Sequence, residues 1–223
     1  MRSYRRSIAK PTGSTRRRSL SLPSHRFAMR IDLMGVRPPI WRRIETNPDL
    51  TLDTFHMVIQ VAFEWTDNHL HEFGQVGRGG RPTGDPILMP YMIEEGDEGI
   101  PEATVRLGDV LSKPKDKLNY MYDFGDSWEH RILLEDVKEP DPGLTLVTCT
   151  GGKRAAPPDD CGGVWGYQTM LDAGRDPKHP DHEEASERIA WAFGEGADFA
   201  PESFDLDRIN KTLAKMAMSG FKW

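Results

Sequence analysis

The stretch Leu118–Glu135, LNYMYDFGDSWEHRILLE, constrains the fold more than any other part of the chain. Its two arms alternate apolar and polar residues, the period of strands with one buried face, and Asp-Phe-Gly-Asp lies between them. The pattern reads as an antiparallel hairpin of Leu118–Tyr122 with Trp128–Val137. Gly125 takes φ > 0 without steric cost and Asp126 follows it naturally, so the spacing predicts a two-residue turn at Gly125-Asp126. In that register Phe124 faces Ser127, Asp123 faces Trp128 and Met121 faces His130. Period-2 alternation then places Asp123, Trp128 and His130 on one face. An acid beside an imidazole makes a proton-transfer pair or part of a metal site. The structural alternative has Asp123 capping the turn, Trp128 in the core and His130 donating to a backbone carbonyl. Asp123-Phe124-Gly125 is not a kinase signal, because no matching catalytic loop or strand lysine accompanies it.

Elsewhere the pattern is of strands first and helices last. Phe27–Leu33 and Ile40–Thr46 alternate around a proline turn at Val36–Pro39 and form a first hairpin. Thr51 is placed to cap a helix reaching Trp65, with Asp53 in its first turn and Leu52, Phe55, Ile59, Ala62 and Phe63 on a buried face. His56 shares that side and reads as a hydrogen-bonded core histidine. His69–Val76 has strand character and puts His69 and His71 on one face, where the pair could supply metal ligands. The Gly- and Pro-rich segment 74–90 reads as a loop, without the lysine or spacing of a phosphate-binding motif. A helical turn at Val105–Leu111 and a strand at Leu144–Cys149 follow. Helices are expected at Val164–Ala173, His182–Phe193 and Leu206–Met218, with Asp181 starting the second. The expected fold class is therefore α+β: a mainly antiparallel sheet packed with one helix from the N-terminal half and a C-terminal group of helices.

Charge divides the chain unevenly. Residues 1–26 carry eight Lys/Arg and no acid, whereas the rest carries 21 basic against 35 acidic residues, a net of −14. The expectation is a disordered basic tail over residues 1–25 and a single domain over 26–223. The tail is a plain solvated extension, an arm for nucleic acid or another anionic surface, or a targeting peptide, which its Arg-rich, acid-poor composition permits; the acidic body argues against a broad nucleic-acid face. Only Cys149 and Cys161 occur, and no run approaches the roughly 18 apolar residues of a membrane span. The expectation is a cytoplasmic chain with neither membrane anchor nor disulfide framework.

A second constellation follows Cys149, in CTGGKRAAPPDDCGGVWGY up to Tyr167. The two cysteines are too far apart for zinc-finger spacing. Pro157-Pro158 stiffens the loop, and Asp159 and Asp160 sit at its tip. The loop reads either as a device to present carboxylates or as a cap over the sheet. His179 and His182 are further metal-ligand candidates, although a helix start explains them too. No G-x-S-x-G elbow and no His-Glu-x-x-His is present.

Taken together, Ile40-Trp41-Arg42-Arg43-Ile44, the Thr51–Trp65 helix, His69-Leu70-His71-Glu72-Phe73, the Tyr120–His130 turn and Pro157–Tyr167 resemble the plasmid pRiA4b ORF-3-like family over roughly residues 27–215. The resemblance implies a compact α+β domain. It also implies a gene context, since relatives occur on plasmids and as passenger proteins of insertion sequences. Some relatives are labelled resolvase-like, but no serine- and arginine-rich catalytic segment lies in the folded part. Relatives often carry a cysteine just before the double proline; here it is Ala156, which takes away a three-cysteine metal site. The family supplies no catalytic residues to carry over.

The site expected from these residues is a cleft between the Asp123–His130 hairpin and the Pro157–Tyr167 loop. It would be lined by Tyr122, Asp123, Asp126, Trp128, His130, Asp160, Trp165 and Tyr167, with the aromatics giving contact area to a ligand or protein partner. The leading expectation is an accessory or binding protein of mobile-element type. The alternative is a metal-assisted hydrolase, a phosphodiesterase or nuclease, in which Asp123, Asp126, His130 and Asp160 hold a divalent metal or move protons.

Overall fold

The computed structural model describes residues 25–77, 80–140, 146–194 and 200–221. The tail expected over residues 1–25 lies, except for its last residue, outside them. Among the described residues eight strands form one sheet in the order β5-β4-β3-β6-β7-β1-β2-β8. They are β1 (Arg26–Leu33), β2 (Ile40–Thr46), β3 (His71–Val76), β4 (Pro82–Leu88), β5 (Ile100–Pro101), β6 (Lys117–Tyr122), β7 (Trp128–Lys138) and β8 (Val147–Lys153). Every neighbouring pair is antiparallel except β4–β5. The helices are α1 (Leu52–Phe63), α2 (Pro90–Glu94), α3 (Leu107–Val110), α4 (Gly163–Ala173), α5 (His182–Phe193) and α6 (Leu206–Ser219). The α+β class expected from the sequence is what the chain adopts.

Alternation decides which face is covered. Phe27, Met29, Ile31 and Leu33 of β1, Leu118, Tyr120 and Tyr122 of β6, and Trp128, His130, Ile132 and Leu134 of β7 are all buried. Against them lies the apolar stripe of α1, where Leu52, Phe55, Ile59, Ala62 and Phe63 lose essentially all contact with water. Burying each large side chain contributes about 1.5–3 kcal/mol, far more than the propensity of a twelve-residue helix. At the far edge α6 is tied to β8 by Asn210, which accepts from the Cys149 amide at 2.8 Å and donates to the Cys149 carbonyl at 2.9 Å. His56 is the bonded core histidine expected. Its Nδ1 is 2.8 Å from the Tyr120 hydroxyl, its Nε2 is 2.8 Å from Asp67, and burial holds the ring below the usual histidine range.

Several local expectations are corrected. The central turn spans five residues, because β6 and β7 pair Tyr122 with Trp128 and Tyr120 with His130. Asp123, not Gly125, enters the left-handed region, with φ 57°. Its Oδ1 accepts from the amides of Gly125 at 2.9 Å and Asp126 at 3.3 Å, and Ser127 closes the turn by donating to the Asp123 carbonyl. An aspartate able to bond the two following amides favours this wider turn over a two-residue one. Segment 74–90 is not all loop. Its end pairs with β3 as strand β4, Phe73 opposite Ile87, because backbone pairing and two buried apolar residues outweigh the Gly/Pro composition. The last strand begins at Val147 and continues through Gly151-Gly152 to Lys153; residues 144–145 of the expected strand lie outside the described residues. Thr51 and Asp181 precede their helices without a side-chain cap. No helix among the described residues is long and apolar enough to cross a membrane.

Candidate functional site

The β6–β7 turn, the segment Thr66–Leu70 leading into β3, and the loop from Ala155 to Gly162 meet at one end of the sheet. Each joint is a specific bond. The Asp123 amide donates to the Leu70 carbonyl at 2.9 Å. Trp65 Nε1 donates to the Pro157 carbonyl at 2.8 Å, and Thr66 donates to Asp159 Oδ2 at 3.2 Å. Asp126 Oδ2 accepts the Gly162 amide at 3.1 Å. Gly163 packs so tightly on this turn, at φ +64°, that a Cβ there would sit 2.5 Å from the Asp126 carbonyl oxygen. The stiff Pro157-Pro158 segment thus delivers Asp160, itself left-handed at φ 56°, to the side of Asp123.

The third member of this group is His69. Its Nε2 is enclosed and has no hydrogen-bond partner among the described residues, yet it lies 3.7 Å from Asp123 Oδ2 and 3.5 Å from Asp160 Oδ1. One ligand atom from each of His69, Asp123 and Asp160 lies within 4.8 Å of the others. Asp159 stands beside them. Burial raises its carboxyl above the usual carboxylate range, with the carboxylates of Asp160 and Asp123 adding to the effect, and its Oδ1 has no partner among the described residues. A cavity of about 690 Å³ opens beside the loop, lined in part by Trp65, Asn68, Pro157, Asp159, Asp160 and Trp191.

The residues singled out from the sequence divide into three sets. Asp123 and Asp160 converge, and Asp126 braces the loop that brings them together. Tyr122, Trp128, His130 and Tyr167 point inward. His130 is 1% exposed and faces Phe63, Trp65 and Tyr120, with Nδ1 donating to the Trp128 carbonyl at 3.0 Å. Burial drives its pKa down to about 3. It therefore stands in the core, not beside Asp123, as the wider turn and the pairing with Tyr120 require. Tyr122 stacks on Trp65 and accepts the Asn68 amide at 3.3 Å, and burial pushes its phenol up. Burial likewise takes the Tyr167 phenol to about 12. Trp165 is the opposite case, 86% exposed on α4. Both cysteines are buried thiols; burial raises Cys149 and takes Cys161 to about 12. The sequence marks His69 as half of a His-x-His pair that could supply metal ligands, but its partnership with Asp123 and Asp160 comes from chain segments 54 and 91 residues away.

The profile of the plasmid pRiA4b ORF-3-like protein family matches residues 25–208. The chain belongs to that family. This pRiA4b ORF-3-like protein is 33% identical over 199 residues to the uncharacterized protein y4hQ of Sinorhizobium fredii, covering 87% of this chain and 92% of y4hQ. Its fold is similar to the crystal structure of MM3350, a protein of unknown function from Methanosarcina mazei Go1. The TM-score is 0.67 at 34% sequence identity, covering 82% of this chain and 97% of MM3350. The match spans the turn, the β3 lead-in and the Pro157–Tyr167 loop, so the parts that build the His69 group belong to the shared domain.

Proposed function

We propose that this protein is a cation-dependent binding protein of mobile-element type. A divalent ion held by His69 Nε2, Asp123 Oδ2 and Asp160 Oδ1 would fasten the Pro157–Tyr167 loop to the β6–β7 turn, and the neighbouring cavity would take the ligand. The observation that carries this reading is the sequestered Nε2 of His69, facing two carboxylate oxygens at 3.7 and 3.5 Å without bonding either. An imidazolium would draw a carboxylate to about 2.7–2.9 Å. Ligands sharing a tetrahedral ion at about 2.0–2.2 Å stand about 3.3–3.6 Å apart, close to the spacing seen. Asp123 suits the role because Oδ1 holds the turn and leaves Oδ2 to the ion. Asp126 and His130 lie outside this ligand set, one bonded to the loop and the other in the core.

Calorimetric titration of the protein with Zn²⁺, Mn²⁺ and Mg²⁺ tests the reading. His69→Ala and Asp123→Asn should each remove one bound ion. The asparagine oxygen keeps accepting the Gly125 and Asp126 amides, so the metal-free melting temperature should hardly move. Unchanged ion binding in both variants would refute the site. Asp159 favours a second reading, metal-assisted hydrolysis. With an ion held by His69, Asp123 and Asp160, the neighbouring Asp159, whose carboxyl burial raises, would be the side chain to accept a proton from water the ion activates. Cleavage of bis(p-nitrophenyl) phosphate that needs the ion and disappears in Asp159→Asn would select it; no cleavage leaves the binding role alone.

A further inference from the structure

We infer that the acidic, aromatic-walled cavity beside the Pro157–Tyr167 loop is a docking site for this chain's own basic arm, with the run Arg16-Arg17-Arg18 as the element that enters it. The inference names what covers the cavity while no ligand is bound. It rests on the cleft reading only in calling the cavity a ligand site; the docking itself needs no ion.

The cavity has the lining that a guanidinium seeks. Among the described residues its walls carry three acids, Glu64, Asp159 and Asp160, against a single base, Arg208. Glu64 takes up Arg208 in an ion pair, so the charges of Asp159 and Asp160 are left over. Asp160 turns most of its side chain to solvent, and Asp159 Oδ1 has no hydrogen-bond partner among the described residues. To the same cavity the end of α5 contributes Trp191, 70% exposed, and the exposed ring of Phe193. Carboxylates grip a guanidinium by charge-assisted hydrogen bonds and an open indole face stacks on it. The domain already pairs guanidinium with ring elsewhere. Arg42 lies 5.0 Å over Phe63, itself at the cavity wall, and Arg30 lies 4.6 Å over Trp41. Two other concavities bring their own bases. The one bordered by Met34 and Met121 sets Lys117 and Arg131 among its acids, and the one beside Val110 is lined by Lys115 and Lys117.

The occupant follows from the chain. Residues 1–24 hold seven Lys/Arg and no acid, joined to an acid-rich remainder. Three of the seven form the single run Arg16–Arg18, and Leu20 and Leu22 follow it, apolar residues that suit a rim of Trp191 and Phe193. Arg16 lies ten residues ahead of Arg26, where β1 starts, a reach of about 33–36 Å of extended chain. β1 itself is about 26 Å long, so the run can travel to the end of the sheet at which the cavity lies. A tethered segment meets its site at an effective concentration on the order of millimolar, so contacts too weak to hold a free peptide hold the arm.

A contact-quenched fluorophore tests the docking in the full chain. Ser14→Cys places a thiol beside the arginine run, and the burial of Cys149 and Cys161 leaves it the reactive one. Bimane attached there loses its emission when it touches an indole. In low salt with EDTA the label should be quenched. It should recover free-dye brightness in about 1 M NaCl, where charges are screened within about 3 Å. Trp191→Phe should abolish the quenching, as should the triple change Arg16→Ser, Arg17→Ser and Arg18→Ser. Trp165→Phe, at an equally open indole on α4, should leave it unchanged. A label equally bright under all these conditions would overturn the docking and leave the arm to a nucleic acid or another outside anion. Quenching that survives Trp191→Phe would overturn the cavity as its site, and quenching that grows with protein concentration would overturn docking within one chain. EDTA keeps the cleft ion out of the measurement. Quenching in a protein that binds no divalent ion would therefore refute that ion alone, and ion binding without quenching would refute the arm alone.

Discussion

His130 should make the protein acid-sensitive in a way a single substitution can isolate. Its imidazole is packed among Phe63, Trp65 and Tyr120 and titrates at about 3, against about 6.5 in an unfolded chain. Above pH 6.5 the ring is neutral in both states and contributes no pH dependence. Below it the unfolded chain takes up a proton that the folded chain refuses, so stability falls as pH falls. The slope is about 1.4 kcal/mol per unit down to about pH 3. By pH 5 the loss from this one residue is about 2 kcal/mol. His130→Leu removes the titration and also the Nδ1–H bond to the Trp128 carbonyl, which should cost about 1–3 kcal/mol at pH 8. Urea unfolding of both proteins at pH 8, 6.5 and 5 compares them directly, and the titrating carboxylates cancel in the difference. The gap should narrow by about 2 kcal/mol between pH 8 and 5, bringing the curves together or crossing them. A gap that stays constant would show that His130 is charged or hydrated in the folded protein, and the argument for its core placement would fail.

Two further outcomes follow from packing. Ile59→Ala should lower stability by about 2–5 kcal/mol in urea unfolding, because Ile59 is fully buried between α1 and the sheet; a loss below about 0.5 kcal/mol would mean the helix presents another face. Gly163→Ala should cost about 1–3 kcal/mol and weaken cation binding at His69, because the new methyl meets the Asp126 carbonyl and a left-handed backbone; a wild-type melting temperature with wild-type Zn²⁺ binding would contradict the close approach.

The sheet and its helices were legible because their signals are local. Alternation in Phe27–Leu33 and Trp128–Val137 and the stripe Leu52–Phe63 need only neighbouring residues to be read. β4 was not, because Pro82, Gly84 and Pro86 conceal a strand that exists through its partner β3. The hairpin was read with its turn too tight, since nothing local says that Asp123 will bond the next two amides. That difference turned the expected imidazole of the carboxylate group into a core residue. The true imidazole, His69, comes from another segment, and only the pairing of β3 with β6 brings it to the turn. Pro157-Pro158-Asp159-Asp160 reads from sequence either as a presenter of carboxylates or as a cap over the sheet; in the structure Asp160 Oδ1 stands 3.5 Å from His69 Nε2 and Asp159 accepts from Thr66, while the cysteines and Tyr167 around it are buried.

The two thiols give the folded chain a built-in chronometer. Cys149 sits on the edge strand β8 beneath α6, and Cys161 sits in the loop that ends at α4. Both are protonated and enclosed, so alkylating reagents meet no thiolate until the surrounding backbone opens. Modification of Cys161 therefore times the release of the loop, and modification of Cys149 times the peeling of the sheet edge. The ratio of the two rates separates a local excursion at the candidate site from unfolding of the whole domain, without any label being introduced.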